Sequence, residues 1–528
     1  MKRTVYYGGD ILTLEGGGRA EALLVEDGVI RELGTKEALL ASFPGAERAD
    51  LRGRTLMPSF IDPHSHITSC AQTFGLVSLE GCREIAEVVK RIADYREKGR
   101  VKPGEWICGF GYDHNDLKER RHPGREALDR AAPDNPVLIS HASGHMGAVN
   151  SAALREMGIT ADTPDPDGGR IGRVDASREP DGYLEETAFI SRSNAVPLPS
   201  EEERFRQMEM AQDAYLRYGI TTAQDGLTRP AEWELLKGMS EAGKLRLDVV
   251  SYLDQKQCPG LLRENPEWYG RYRGNLRIGG YKIFLDGSPQ GRTAWMSEPY
   301  EGAADGYRGY PSYTDEQLEA FVRQAVDERV QQLVHCNGDA ACGQLIGAYQ
   351  KVAGGDLGLR PVMIHAQLVR EDQLAEMAKL GMIASFFVAH TWFWGDVHLK
   401  NFGAARAEKI SPAASALREG VVYTFHQDTP VIQPDMLFTV WCAVNRRTRA
   451  GVVLGPEERL SVTDALRGVT ANAAYQYFEE DRKGTIRAGK RADLVVLDRN
   501  PLDVPAEELK NLRVLATIKA GEPLYRKE

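Results

Sequence analysis

Long apolar runs are missing from this sequence. No stretch approaches the roughly 18 residues that a membrane-spanning helix needs. The opening "MKRTVYYGGDILTLEGGG" lacks the unbroken apolar core of a secretory leader. A surplus of positive charge is missing too. The net charge is −10 and no run of Lys and Arg exceeds three residues, which excludes the basic face of a nucleic-acid binder. Cysteine is scarce and unpatterned: the seven residues contain no Cys-x-x-Cys, so they make neither a disulfide framework nor a zinc knuckle. They read as free thiols of a reducing cytoplasm. No internal repeat and no low-complexity tract occurs.

What remains is an ordinary globular balance, 42% apolar and 27% charged, over 528 residues. That length suffices for a barrel with accessories. The two ends read alike. "RTVYYGGDILTL" and "AEALLVEDGVIRELG" at one end, and "KGTIRAGKRADLVVLDRNP" and "LRVLATIKAGEPLY" at the other, alternate in polarity and turn at glycine. They predict short antiparallel strands in one small β-sandwich built from residues 1–55 and 476–528.

Between them, over 56–475, apolar runs alternate with helical patterns, the signal for βα units and a parallel sheet. Eight candidate strands stand out, at 56–64, 219–225, 246–253, 276–286, 330–336, 361–366, 381–389 and 421–428. Eight is the count of a closed (β/α)8 barrel of the TIM type, an α/β fold. Residues from about 67 to 200 then form an insertion at the barrel mouth, in which the Gly-, Pro- and Asp-rich 163–182 predicts loops or hairpins.

The stretch "FIDPHSH" sets His64 and His66 one residue apart after the first strand. Alternate residues of a strand share a face, so both imidazoles point into the mouth, where they make good ligands for a divalent metal. Four more polar residues end apolar strands: Lys282 in "GGYKIFLDGS", His335 in "QLVHCNGD", His365 in "VMIHAQ" and Asp428 in "TFHQDTP". A bland core would carry Val or Ile there. Lysine is a poor ligand while protonated and costly to bury unpaired. Either CO2 carbamylates Lys282 into a carboxylate able to bridge two cations, or it pairs with Asp286 or a substrate carboxylate.

Taken together, His-x-His after strand one, Lys in strand four, His after strands five and six and Asp after strand eight resemble the amidohydrolase superfamily. "YKIFLDGS", "HCNGDAA", "IHAQ" and "GTIRAGKRADLVVLD" resemble, within it, amidohydrolase family 3, the YtcJ-like group that includes N-substituted formamide deformylases. The resemblance implies a binuclear centre, zinc being the expected metal: His64 and His66 on one ion, His335 and His365 on the other, Lys282 bridging, and Asp428 both binding metal and shuttling protons. The chain departs from the family's usual pattern at "SPQGRTA", "IHAQ" and "HQD", which bears on the substrate pocket and leaves the ligands intact.

The implied reaction is hydrolysis of an amide, N-acyl or N-formyl carbon–nitrogen bond by metal-bound hydroxide, with Asp428 as catalytic acid and base. His426, two residues before Asp428, either orients substrate or packs behind the ligands. The resemblance sets "ISHASGHMGAVNSAAL" over the mouth, where His145 would stabilise an oxyanion. His141 and His114 are open between such a role and a structural one. Trp392 and Trp394, past strand seven, predict a pocket for an apolar or aryl substituent. Arg446 and Arg447 either hold a substrate carboxylate or lie on a solvated helix face. A hydrolytic deaminase, which typically keeps one metal and no strand-four lysine, and a non-catalytic binding protein are the competing readings. The expectation is a cytoplasmic homodimer acting on a small molecule, with neither nucleic acid nor membrane as partner.

Overall fold

The structure, a computed structural model, describes residues 2–527 apart from positions 17, 99, 100, 115, 142–145, 167, 168, 175, 176, 194, 195 and 198. It divides into two compact units, Met1–Thr68 with Glu209–Glu528, and Ser69–Met208.

In the first unit, eight parallel strands lie side by side in chain order: β1 (Phe60–Ile61), β2 (Ile220–Thr228), β3 (Asp248–Asp254), β4 (Leu276–Phe284), β5 (Gln331–Cys336), β6 (Val362–His365), β7 (Ile383–Phe386) and β8 (Tyr423–Phe425). Parallel neighbours need crossover connections, and the intervening helices supply them. In Asp315–Asp327, for example, Leu318, Val322 and Ala325 are buried at helical spacing, and Thr314 caps the helix by accepting from the Gln317 amide. Strands covered on both faces read as continuous apolar runs. β3 and β6 are accordingly buried at every position.

One expected strand divides. Within 56–64, Thr55–Pro58 pairs antiparallel with Leu494–Leu497, and only β1 joins β2. Pro58 has no amide hydrogen with which to continue the first ladder. The next two amides then go to different sheets: that of Ser59 to the Asp493 carbonyl, that of Phe60 to the Gly219 carbonyl.

The chain ends form one hydrogen-bonded sheet where a two-layered sandwich was expected. Its order is Glu522–Arg526, Val514–Lys519, Leu494–Leu497, Thr55–Pro58, Arg3–Leu12, Arg19–Glu26 and Val29–Gly34, with Glu47–Asp50 beside Arg3–Leu12. Alternation along the strands gives each face its own core. Leu23 and Val25 pack with Ile30 and Leu494, while Ala22 and Leu24 pack with Leu39. At the start of β3, buried Asp248 accepts from Lys483, Arg491 and Lys519 at 2.5, 2.8 and 2.7 Å. Burial raises the Asp248 carboxyl, and these three cations overcome that and hold it below the usual carboxylate range. That cluster ties the terminal sheet to the foot of the parallel strands.

The second unit is built on a six-stranded sheet in the order Gly169–Arg173, Pro180–Glu186, Met146–Val149, Val137–His141, Ile107–Tyr112 and Val77–Ser78. The first two of these pair antiparallel, as the turn-rich 163–182 predicts. Cys82, Cys108, Cys258, Cys336, Cys342 and Cys442 are free thiols, and among the described residues no helix is long and apolar enough to cross a membrane.

Candidate metal centre

The loop leaving β1 carries His64 and His66 and is pinned from both directions in sequence. The Asp62 carbonyl accepts from the Tyr477 hydroxyl at 2.7 Å, and the Pro63 carbonyl accepts from Gln224 Nε2 at 2.7 Å and Gln476 Nε2 at 2.8 Å. These contacts fix the Gln224 amide, whose Oε1 lies 2.7 Å from His64 Nδ1. An amide oxygen only accepts, so Nδ1 carries the ring proton and Nε2 keeps its lone pair. Space for this ring requires Gly226, where a Cβ would stand 2.7 Å from His64 Cε1.

Asp428, just beyond β8, faces this pair. Its Oδ1 is 3.4 Å from His64 Nε2 and 3.2 Å from His66 Nε2. Metal bonds of about 2.0–2.2 Å set tetrahedral donors roughly 3.3–3.6 Å apart, so these three atoms have the spacing of a ligand set. His365 and Asp428 adopt positive φ values of 70° and 55°. Backbone held in the left-handed region by bulky residues costs energy and clusters at functional sites.

A second group of rings adjoins the first. His365 Nε2 is 3.2 Å from His335 Nδ1, and His335 Nε2 is 3.3 Å from the Gly287 carbonyl. His426 is fully buried beside them, its Nε2 3.2 Å from His365 Nδ1 and its Nδ1 2.9 Å from the Ser385 hydroxyl. Burial drives the His335 and His426 rings down to about 3 and those of His64 and His365 well below the usual range. They are therefore neutral imidazoles, the form that binds metal.

Lys282 ends in this region on β4, with none of its surface exposed. Its Nζ lies 4.8 Å from the centre of the Phe284 ring and forms no hydrogen bond among the described residues. Burial lowers the amine to about 8. The Asp286 partner weighed from sequence is engaged elsewhere: its oxygens accept from the Trp295, Asn337 and Gly338 amides at 3.0, 2.9 and 2.7 Å. An unpartnered buried amine beside neutral imidazoles fits a site built around cations and a further carboxylate.

The remaining candidates divide. Trp394 lies 4.5 Å from His390 and 5.9 Å from Phe387 between ring centres, and Phe387 is 5.5 Å from His426. Trp392 is not brought there; it packs 5.2 Å from Trp441, with Lys510 Nζ 5.3 Å above its ring. Arg446 is neither a carboxylate anchor nor solvated. It is fully buried, and its guanidinium donates to the carbonyls of Leu454, Ser411 and Ile410 at 2.6, 3.0 and 2.7 Å. Arg447 pairs with Glu507 at 3.5 Å. In the second unit His114 and His141 meet Asp113, while His145 lies outside the described residues. Sequence reasoning missed Gln224 and Ser385. Both are polar residues inside buried strands, the same signal that marked the histidines.

Imidazoles and a carboxylate gathered at the C-terminal ends of eight parallel strands define a hydrolase of the metal-dependent class. The family model described as "Amidohydrolase family" matches residues 47–525. The chain belongs to this amidohydrolase family, as the resemblance in its motifs implies, and is an enzyme acting on carbon–nitrogen bonds other than peptide bonds. It is 32% identical to N-substituted formamide deformylase of Arthrobacter pascens, over 96% of this chain and 95% of that protein. It is 28% identical to the putative amidohydrolase YtcJ of Bacillus subtilis (strain 168), over 99% and 100%. The solved structure of an uncharacterized metal-dependent hydrolase from Pyrococcus furiosus matches with a TM-score of 0.78 and 25% identity, covering 95% of this chain and all of that one.

Proposed function

We propose that the protein hydrolyses the amide, N-acyl or N-formyl bond of a small molecule carrying an apolar or aryl N-substituent. The observation that carries this reading is the convergence of His64, His66 and Asp428 within 4.8 Å, beside a buried lysine with no hydrogen-bond partner among the described residues. Two divalent ions, zinc by the chemistry of the donors, would be held by His64, His66, His335, His365 and Asp428, with Lys282 bridging as a carbamate. When bound, they supply a water acidified to about neutral pKa and a Lewis acid for the carbonyl oxygen.

Asp428, the carboxylate facing His64 and His66, would accept the proton of the attacking water and deliver it to the leaving nitrogen. His426, hydrogen-bonded to Ser385, steadies the His365 ring and borders the substrate. Trp394, with Phe387 and His390 behind it, supports the N-substituent, whereas Trp392 packs against Trp441 and serves stability. In this reading the eight parallel strands close as a (β/α)8 barrel, and the hydrolase domain runs over 56–475 with an insertion at about 67–200, flanked in sequence by the chain ends 1–55 and 476–528, which share one sheet. The setting is the cytoplasm, and the active form is a homodimer.

The test is Asp428→Asn, nearly isosteric and unable to carry the proton. On the N-formyl or N-acyl substrate that the unsubstituted enzyme turns over best, kcat should fall by about 10²–10⁴-fold with the melting temperature retained. An unchanged kcat would overturn the assignment. Release of ammonia in place of a larger amine would favour the deaminase reading.

A further inference from the structure

The second unit repeats, on a smaller scale, the placing of ligands at the C-terminal edge of parallel strands. Ile107–Tyr112 and Val137–His141 are parallel neighbours, with Tyr112 opposite His141 in register. Asp113 and His114 therefore leave one strand end exactly where His141 closes the next. Three atoms meet there. His114 Nδ1 is 3.3 Å from His141 Nε2, His141 Nε2 is 3.3 Å from Asp113 Oδ1, and His114 Nδ1 is 3.7 Å from the same oxygen.

That triangle is close to one face of a tetrahedron whose centre-to-corner bonds are about 2.0–2.2 Å. One shared proton serves two such atoms at a time; a cation at the centre serves all three. We propose that Asp113, His114 and His141 form a second divalent-metal site, of the zinc and cobalt class, built from the second unit's residues alone.

The surroundings hold the ligands in place. His122 stacks on His114 with ring centres 4.2 Å apart and has Tyr183 within 4.4 Å, and its Nδ1 is 3.0 Å from the Tyr112 hydroxyl. Tyr112 is buried and meets the His141 ring edge-on at 5.4 Å. His141 is almost wholly covered, whereas the side chains of Asp113 and His114 retain 38% and 30% of their surface, which gives an ion a way in. Burial lowers His141 and drives His122 down to about 4, so both rings stay neutral at physiological pH. Imidazoles with a single carboxylate select borderline divalent ions over calcium or magnesium. Three protein ligands also leave a fourth position for an exchangeable donor, the pattern of a working site.

The experiment reads the ions directly, so that failure at the first centre cannot be mistaken for failure here. In full-length protein whose first centre is emptied by His64→Asn, His66→Asn, His335→Asn and His365→Asn, and whose melting curve shows it folded, added cobalt(II) should give the visible bands of tetrahedral cobalt from the unaltered second unit. Adding His141→Asn should abolish them, and Asp113→Asn should weaken binding by more than the roughly tenfold that losing a ligand's supporting partner costs. By elemental analysis of zinc-loaded protein, His114→Asn with His141→Asn should lower the count by one ion per chain relative to its parent. Equal counts in the two, or no tetrahedral bands from the intact second unit, would overturn the proposal.

Discussion

The Gln224 side-chain oxygen lies 2.7 Å from His64 Nδ1, and that contact decides which ring nitrogen looks at Asp428. Gln224 is itself held by the Pro63 carbonyl and the Tyr477 hydroxyl, so it cannot turn its amide over without losing both. Gln224→Leu should therefore release the ring and weaken metal binding by about 10–100-fold while the chain stays folded. Competition against a chelator of known affinity measures it. An unchanged affinity would show that the loop backbone alone orients His64.

Lys282→Ala should remove activity and one bound ion together. The vacated space sits among neutral imidazoles, so short carboxylic acids should restore part of both. Intact-protein mass under CO2, compared with a gently acidified sample, tests the carbamate itself. A mass without the extra carboxylate, combined with full ion content, would dismiss the bridge.

His398 supplies a pH prediction away from the centre. Its ring is buried, its Nε2 is 3.1 Å from His390 Nδ1, and burial depresses it to about 3 from an ordinary value near 6.5. A depressed histidine favours the fold as the neutral form. Its contribution is complete above about pH 6.5 and is lost progressively as pH falls toward 3. Each such group adds up to about 1.4 kcal/mol of destabilisation per pH unit in that window. The melting temperature of His398→Gln should accordingly fall less steeply between pH 7 and 5 than that of the unsubstituted protein. Parallel curves would refute the assignment.

The two tryptophans should behave differently. Trp394→Ala should raise KM for aryl amides more than for small aliphatic ones, since small substrates never reach its ring. Trp392→Ala should cost up to about 3 kcal/mol of stability through its contacts with Trp441 and Phe438, and treat all substrates alike. Kinetics on a matched aryl and alkyl pair, with melting curves, separates the two. Equal shifts in both variants would mean that neither ring borders substrate.

Much of this site can be read from the chain because burying a polar side chain is expensive. His64, His335, His365, Lys282 and Asp428 each interrupt or end an apolar run, and the structure gathers their neighbourhood at one end of the parallel strands. The tryptophans were harder to separate. Positions 392 and 394 are adjacent in any sequence window, but residues two apart on a helical turn point about 200° apart. Arg446 was misleading for a similar reason. "NRRTRAG" looks solvated, yet Arg446 ends the helix Met436–Asn445 in a left-handed turn, with φ of 50°, and folds inward to carbonyls that local sequence cannot announce. The sheet change at Ser59 was hidden because the apolar run continues through both sheets.

The donors that pin the first histidine loop come very late in the chain. Tyr477 reaches the Asp62 carbonyl across 415 residues, and Gln476 reaches that of Pro63 across 413. During synthesis, the segment carrying His64 and His66 leaves the ribosome long before Gln476 and Tyr477 do, and its carbonyls wait for these partners. Closing so long a loop adds only slowly to the entropic cost, but it sets the order of events. A nascent chain halted before Ala471 already contains every candidate ligand, from His64 to Asp428, and still lacks the two side chains that tie the first of them down. In this protein the first pair of histidines is made long before two of the side chains that hold it still.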